Sequence, residues 1–170
     1  MLRDFRKPVV LAAPKIGLKH PKAVSNIDEL AEGTKFEPIL VKDFGTGSTD
    51  TVFFCSGKIG FDIEDRLTKA DLKRGAKLIR IEELAPFPVS EIREALRSVD
   101  AKNHVYVQEE SVNQGAFQWA KLHLDRMLAD QGKAQMNYVG KESMHSYCAG
   151  SGTEYKSQVK KLWNDFNAWL

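Results

Sequence analysis

Apolar positions along this chain switch repeatedly between short unbroken runs and spacings of three or four, as in strands separated by helices. Pro8-Val9-Val10-Leu11-Ala12-Ala13 is a β-rich run ended by Pro14, which has no N–H to offer a ladder. Ser25, followed three residues later by Asp28, predicts a capped short helix reaching Leu30. Phe36-Glu37-Pro38-Ile39-Leu40 reads as a short strand, and Pro38 places it at a sheet edge. A Gly/Ser/Thr-rich loop over 45–50 leads into Thr51-Val52-Phe53-Phe54-Cys55, a continuous apolar strand. Ser56-Gly57 breaks that strand before a helix over 58–73, with Ile59, Ile63, Leu67 and Ala70 near helical spacing and Gly75 as its stop.

The same alternation continues through the second half. Strands are expected at 77–82, 104–108 and 135–139. Between and after them the pattern predicts a helix capped by Ser90 with Ile92, Ala95, Leu96 and Val99 on one face, a helix over 115–128, and a terminal helix over 154–169. Strands joined by crossover helices imply an α/β fold: three layers, a mostly parallel sheet, helices on both faces. One domain spanning 1–170 is expected, and no internal repeat is present.

Composition narrows the classes of function. The 170 residues are 42% hydrophobic and 28% charged, ordinary for a globular domain. Net charge is +2, from 25 basic and 23 acidic residues, so no electrostatic argument favours nucleic acid as a partner. No apolar run approaches the ~20 residues of a membrane helix. The N-terminus lacks a signal-peptide pattern and, with Asp4 among Arg3, Arg6 and Lys7, makes a poor transit peptide. Cys55 and Cys148 form neither a disulfide framework nor a zinc site, which fits a reducing compartment.

Candidate chemistry sits at two turns. Ser56-Gly57-Lys58 lies between a predicted strand and helix, where backbone N–H groups and a lysine could contact a phosphate. It lacks the upstream glycine and the hydroxyl of a Walker loop, and GxGxxG is absent, so a plain βα turn is the competing reading. Gln108-Glu109-Glu110 and Asn113-Gln114 cluster at the end of another strand, the edge where α/β proteins place ligands and partners. Neighbouring strand residues point to opposite faces. The carboxylates are therefore expected to serve structure, one accepting helix-start N–H groups and the other pairing with a lysine or arginine. His20, His104, His123 and His145 show no metal-ligand spacing, and neither a Ser-His-Asp nor a GxSxG arrangement is present.

Several blocks together resemble one family. Phe5-Arg6-Lys7-Pro8, Ala13-Pro14-Lys15 and Leu18-Lys19-His20-Pro21 open the series; Phe54-Cys55-Ser56-Gly57-Lys58 follows. Arg80-Ile81-Glu82-Glu83-Leu84-Ala85-Pro86-Phe87-Pro88 and Gln108-Glu109-Glu110-Ser111-Val112-Asn113-Gln114-Gly115-Ala116 complete it. In this order they resemble the C-terminal domain of the 2-oxoglutarate dehydrogenase E1 family, whose close relatives act on 2-oxoadipate. The match is densest over 5–120 and thins over 131–170. Ser111 and Val112 depart from a proline-centred pair, and the loop from His145 to Gly150 departs from an alanine- and proline-rich one.

The resemblance implies a transketolase-like C-terminal fold with one antiparallel edge strand. It also implies a role in bracing catalytic domains, in E1 dimerisation and in regulation by acetyl-CoA or AMP. Ser56, Gly57, Lys58 and Arg80 are then the residues expected near phosphate, and Gln108, Glu109, Glu110, Asn113 and Gln114 those expected at an interface or structural turn. Thiamine diphosphate and Mg²⁺ belong to family domains that precede this segment, so the chain alone is expected to bind no cofactor and to be catalytically inactive. The setting implied is the mitochondrial matrix, or the cytoplasm of a bacterium. The chain begins at a methionine just ahead of the resemblance. That start fits either a fragment of an E1 or a stand-alone, non-catalytic subunit of a larger mitochondrial assembly.

Overall fold

Residues 51–55 form the middle of the fold because, after Thr51, their side chains are apolar on both faces of the strand. In the computed structural model, which describes residues 4–13 and 15–170, they end strand β2 (Thr49–Cys55), whose last five residues are buried. The other strands are β1 (Ile39–Phe44), β3 (Gly75–Ile81), β4 (Asn103–Ser111) and β5 (Asn137–Lys141). Their order across the sheet is β1-β3-β2-β4-β5. β2 runs parallel to β3 and β4, β4 runs parallel to β5, and β1 lies antiparallel along β3. The expected architecture, mostly parallel with one antiparallel edge strand, is therefore present.

The helices α1 (Ile59–Lys69), α2 (Val89–Ala95), α3 (Phe117–Asp130) and α4 (Gly152–Asn167) divide between the two faces. On one face Val52, Phe54, Ile79 and Tyr106 pack against Ile92, Leu124 and Leu128 of α2 and α3. On the other, Phe53, Leu78, Val105 and Val107 pack against Ile63 and Leu67 of α1 and Leu162 and Phe166 of α4. Alternation along each strand sends successive side chains to opposite cores, so both cores need apolar partners at every position. No described helix is long and apolar enough to cross a membrane.

Contacts within the chain divide it into two compact units, Met1–Lys35 and Phe36–Leu170. The second contains all of the sheet. Among its described residues the first contains two short 3-10 helices, Lys15–Lys19 and Ile27–Leu30.

Some local expectations change. Residues 8–13 form no strand, and Pro14, assigned to end it, lies outside the described residues, as does Arg3. Asn26 rather than Ser25 precedes the Ile27–Leu30 helix, and no side chain caps it. Helix α1 ends at Lys69, well before Gly75. Gly75 instead opens β3 in a crowded crossing, where a Cβ would stand 3.1 Å from the Ser48 carbonyl oxygen. Ser90 lies inside α2 rather than capping it, because the helix already starts after Pro88.

Candidate functional site

The C-terminal ends of the parallel strands gather most of the polar residues singled out by sequence. After Cys55 the chain turns through Ser56 and Gly57, whose φ of 77° lies in the left-handed region that glycine enters without steric cost. Ser56 Oγ donates to the Ile81 carbonyl at 3.0 Å, fastening this turn to the end of β3. Lys58 stands just before α1 and turns its ammonium toward β4. Its Nζ lies 3.1 Å from Asp62 Oδ2 and 3.1 Å from Glu109 Oε2. Burial alone draws the Lys58 pKa down, but hydrogen bonds and charge from Glu109 and Asp62 outweigh it and hold the ammonium above its ordinary value.

Arg80 lies on the same face of the sheet but does not share a partner with Lys58. Its Nε donates to the Glu82 carboxylate, and its guanidinium lies 4.6 Å from the centre of the Phe61 ring. Gly60 allows this packing, since a Cβ there would collide with the Arg80 side chain. Cys55 is fully buried, and burial pushes its thiol up to about 12. A thiol so held is no nucleophile near neutral pH.

The second turn is organised by Gln108, which is 2% exposed. Its Nε2 donates to the carbonyls of Ser111 and Gln114, both at 2.9 Å, and its Oε1 accepts the Phe117 N–H at 3.0 Å. One amide thus satisfies both ends of the β4–α3 connection. Gly115, at φ 67°, is required beside it, because a Cβ would come within 2.8 Å of Gln108 Oε1. Asn113 and Met144 exchange bonds in both directions, Nδ2 to the Met144 carbonyl at 2.9 Å and the Met144 N–H to Oδ1 at 3.1 Å. Gln114 Nε2 adds a bond to the Ser146 carbonyl at 3.1 Å. Tyr138 donates its hydroxyl to the Lys141 carbonyl at 3.0 Å, and burial raises its pKa to about 12.

The expected roles of the carboxylates are therefore partly exchanged. Glu109 does pair with a lysine. The N–H at the start of α3, however, is met by the amide of Gln108 rather than by a carboxylate. An amide can accept there and donate to two carbonyls at once, which an ionised carboxylate cannot do.

Between the Lys58–Glu109 pair and α4 lies a cleft of about 260 Å³. Besides Lys58, Asp62, Glu109 and Glu110 it is lined by Lys141, Tyr147, Tyr155 and Trp163. The sequence pointed to none of these last four as a site residue, since they come from β5, the following loop and α4, and only the sheet order brings them to Lys58. Ser56, Gly57 and Arg80 are not among the lining residues. No group of three His, Cys, Asp or Glu side chains converges anywhere among the described residues in a way that could hold a metal.

Known proteins resemble this chain over most of its length. The relatives include the 2-oxoadipate dehydrogenase complex component E1 of Homo sapiens, 33% identical over 169 residues, and the 2-oxoglutarate dehydrogenase E1 component of Rickettsia felis, 34% identical over 167. Each alignment covers 95% of this chain, but the chain spans only 18% and 17% of those proteins. Among solved structures, a split gene transketolase described as an inactive β4 tetramer superimposes with a TM-score of 0.52 at 15% identity, over 82% of this chain and 44% of that one. At that identity the likeness speaks for the fold alone. Residues 24–166 match the family model described as 2-oxoglutarate dehydrogenase C-terminal, and the chain belongs to that family.

Proposed function

We propose that this chain is the C-terminal scaffold of a 2-oxoglutarate or 2-oxoadipate dehydrogenase E1, bracing the modules that carry the chemistry and contributing to the E1 dimer. The supporting observation is how the polar groups at the strand ends are used. Lys58 is held between two carboxylates, Arg80 by Glu82, and Gln108 by three main-chain groups. General acid–base catalysis needs a group within reach of substrate and titrating near working pH. The buried thiol of Cys55 and the phenol of Tyr138 are both pushed up to about 12, away from that range.

Thiamine diphosphate with Mg²⁺ does not fit this chain's residues. Magnesium takes oxygen ligands in near-octahedral geometry, and the carboxylates beside Lys58, Asp62 of α1 and Glu109 of β4, are both engaged by it. We therefore assign the cofactor to the parts of an E1 outside the stretch aligned with this chain, in the mitochondrial matrix or a bacterial cytoplasm. A regulatory acetyl-CoA or AMP would meet Ser56, Gly57, Lys58 and Arg80, with phosphate taking the place of Glu109 or Glu82.

Reconstitution tests the reading. The Rickettsia felis E1 component, cut so that it lacks the stretch aligned with this chain, is assayed for thiamine-dependent decarboxylation with and without the purified chain. Activity only when both are present is the expected result. Turnover by the chain alone, or no gain from adding it, would overturn the scaffold role.

A further inference from the structure

Residues 8–13 have the composition of an interior strand and none of its surroundings. Val9 is 80% exposed, Val10 93% and Leu11 86%, and no helix or strand includes them. The run contains no charged residue. Consecutive exposed apolar side chains of this size mark a surface that another structure covers.

Their order indicates what that structure is. Val9 and Leu11 would face one side of a strand, and Val10 and Ala12 the other. Both sides are apolar, which is the pattern of a strand buried in a sheet with both faces covered. Six residues match the usual strand length of ~5–6, and Pro8 stands at the first position, where a missing N–H is tolerated. A run this short and apolar at every position suits a docked helix poorly, because an amphipathic helix needs a polar face that this run lacks.

A second observation separates this run from the rest of the chain. The family match begins at residue 24, yet the human and Rickettsia felis relatives align over 95% of the chain. Most of the first 23 residues therefore have counterparts in those E1 proteins but lie outside the C-terminal family's span. By its contacts the run belongs to the unit Met1–Lys35, which reaches into the start of the family match.

We propose that residues 8–13 are a strand separated from its sheet: they add by main-chain hydrogen bonds to the sheet edge of the E1 module that precedes this one. Strand addition supplies affinity through the backbone and selectivity through alternate side chains. The chain would thus be joined to its parent enzyme by a shared sheet as well as by surface contact. This inference rests on the E1 reading above.

The test uses the whole chain and the shortened Rickettsia felis E1 component, whose preceding module lacks its own counterpart of this run. Complex formation is followed by size-exclusion chromatography, and amide hydrogen exchange is read by mass spectrometry. The expected result is a complex in which the amides of 9–13 exchange about a hundredfold more slowly than in the free chain, as paired strands do. Val10→Lys and Leu11→Lys, at exposed positions, should leave the chain's thermal midpoint unchanged and weaken the complex at least tenfold. A complex with unprotected 9–13 amides, or one formed equally well by both variants, overturns the shared strand and leaves the scaffold reading standing. No complex and no restored activity overturns both. Should the shortened relative be insoluble alone, co-expression replaces mixing. Wild-type chain should then carry it into the soluble fraction and Leu11→Lys should not, and equal recovery with both chains overturns the shared strand.

Discussion

Lys58 Nζ stands 3.1 Å from Glu109 Oε2, joining the turn after β2 to the end of β4 across the open edge of the sheet. The side chains are 26% and 42% exposed, so solvent and salt screen the pair and its net worth is ~0.2–1 kcal/mol. A double-mutant cycle with Lys58→Met and Glu109→Gln should return a coupling energy in that range by urea unfolding, shrinking between low and high salt. A salt-independent coupling of several kcal/mol would contradict this screened, half-exposed clamp.

Gln108 carries far more of the local stability. Gln108→Leu removes the partners of the Gln114 carbonyl and of the Phe117 N–H in one step, and leaves the Ser111 carbonyl with only the Gln114 N–H. Leaving such groups unpaired costs about 1–3 kcal/mol each when water cannot reach them. The variant should lose about 3 kcal/mol in urea unfolding. Gln108→Glu keeps the acceptor for Phe117 while losing both donors, and should be no milder. A loss below about 1 kcal/mol for Gln108→Leu would show that water replaces the amide.

These two residues also show what the sequence could and could not disclose. The four apolar residues ending β2 announced a strand covered on both faces, and the alternation of periods announced crossover helices, because both are local properties of the chain. The sheet order β1-β3-β2-β4-β5 is not local, and with it came the meeting of Lys58, Glu109, Lys141 and Tyr155 around one cleft. Gln108 stood out only as a member of a polar cluster. That its amide, and no neighbouring carboxylate, completes the start of α3 depends on turn geometry set by Gly115. Residues 8–13 misled for a different reason: their β-rich pattern is real, but strand formation needs a partner, and none of the described strands pairs with them.

His104 makes the fold sensitive to acid. It is 1% exposed at the start of β4, and both of its ring nitrogens are buried without a hydrogen-bond partner. Burial, aided by the charge of Lys133, lowers its pKa from 6.5 to about 4. The unfolded chain therefore takes up a proton first as pH falls. Stability from this residue is intact above about pH 6.5 and declines steadily toward pH 4, by roughly 3 kcal/mol at ~1.4 kcal/mol per pH unit. Urea midpoints from pH 8 to pH 4.5 should fall more steeply for the wild-type chain than for His104→Leu. Parallel pH profiles would mean that other groups set the acid limit.

Asn113 should control a loop without controlling the fold. Its side-chain amide exchanges two hydrogen bonds with the main chain of Met144, doing for the segment after β5 what a neighbouring strand would do. The residues involved are exposed, so Asn113→Ala gives the freed groups to water and should cost no more than ~1 kcal/mol globally. Its effect should appear instead in local opening. Exchange of the Met144 amide should quicken at least tenfold, while amides in the centre of β2 stay protected as before. The same loop supplies Tyr147 to the cleft beside Lys58. Any ligand that closes over Lys58 should therefore bind the Asn113→Ala chain more weakly, through the entropy of re-ordering that loop. Titrating AMP and acetyl-CoA calorimetrically into both chains checks this, and equal affinities would separate the loop from the proposed regulatory site.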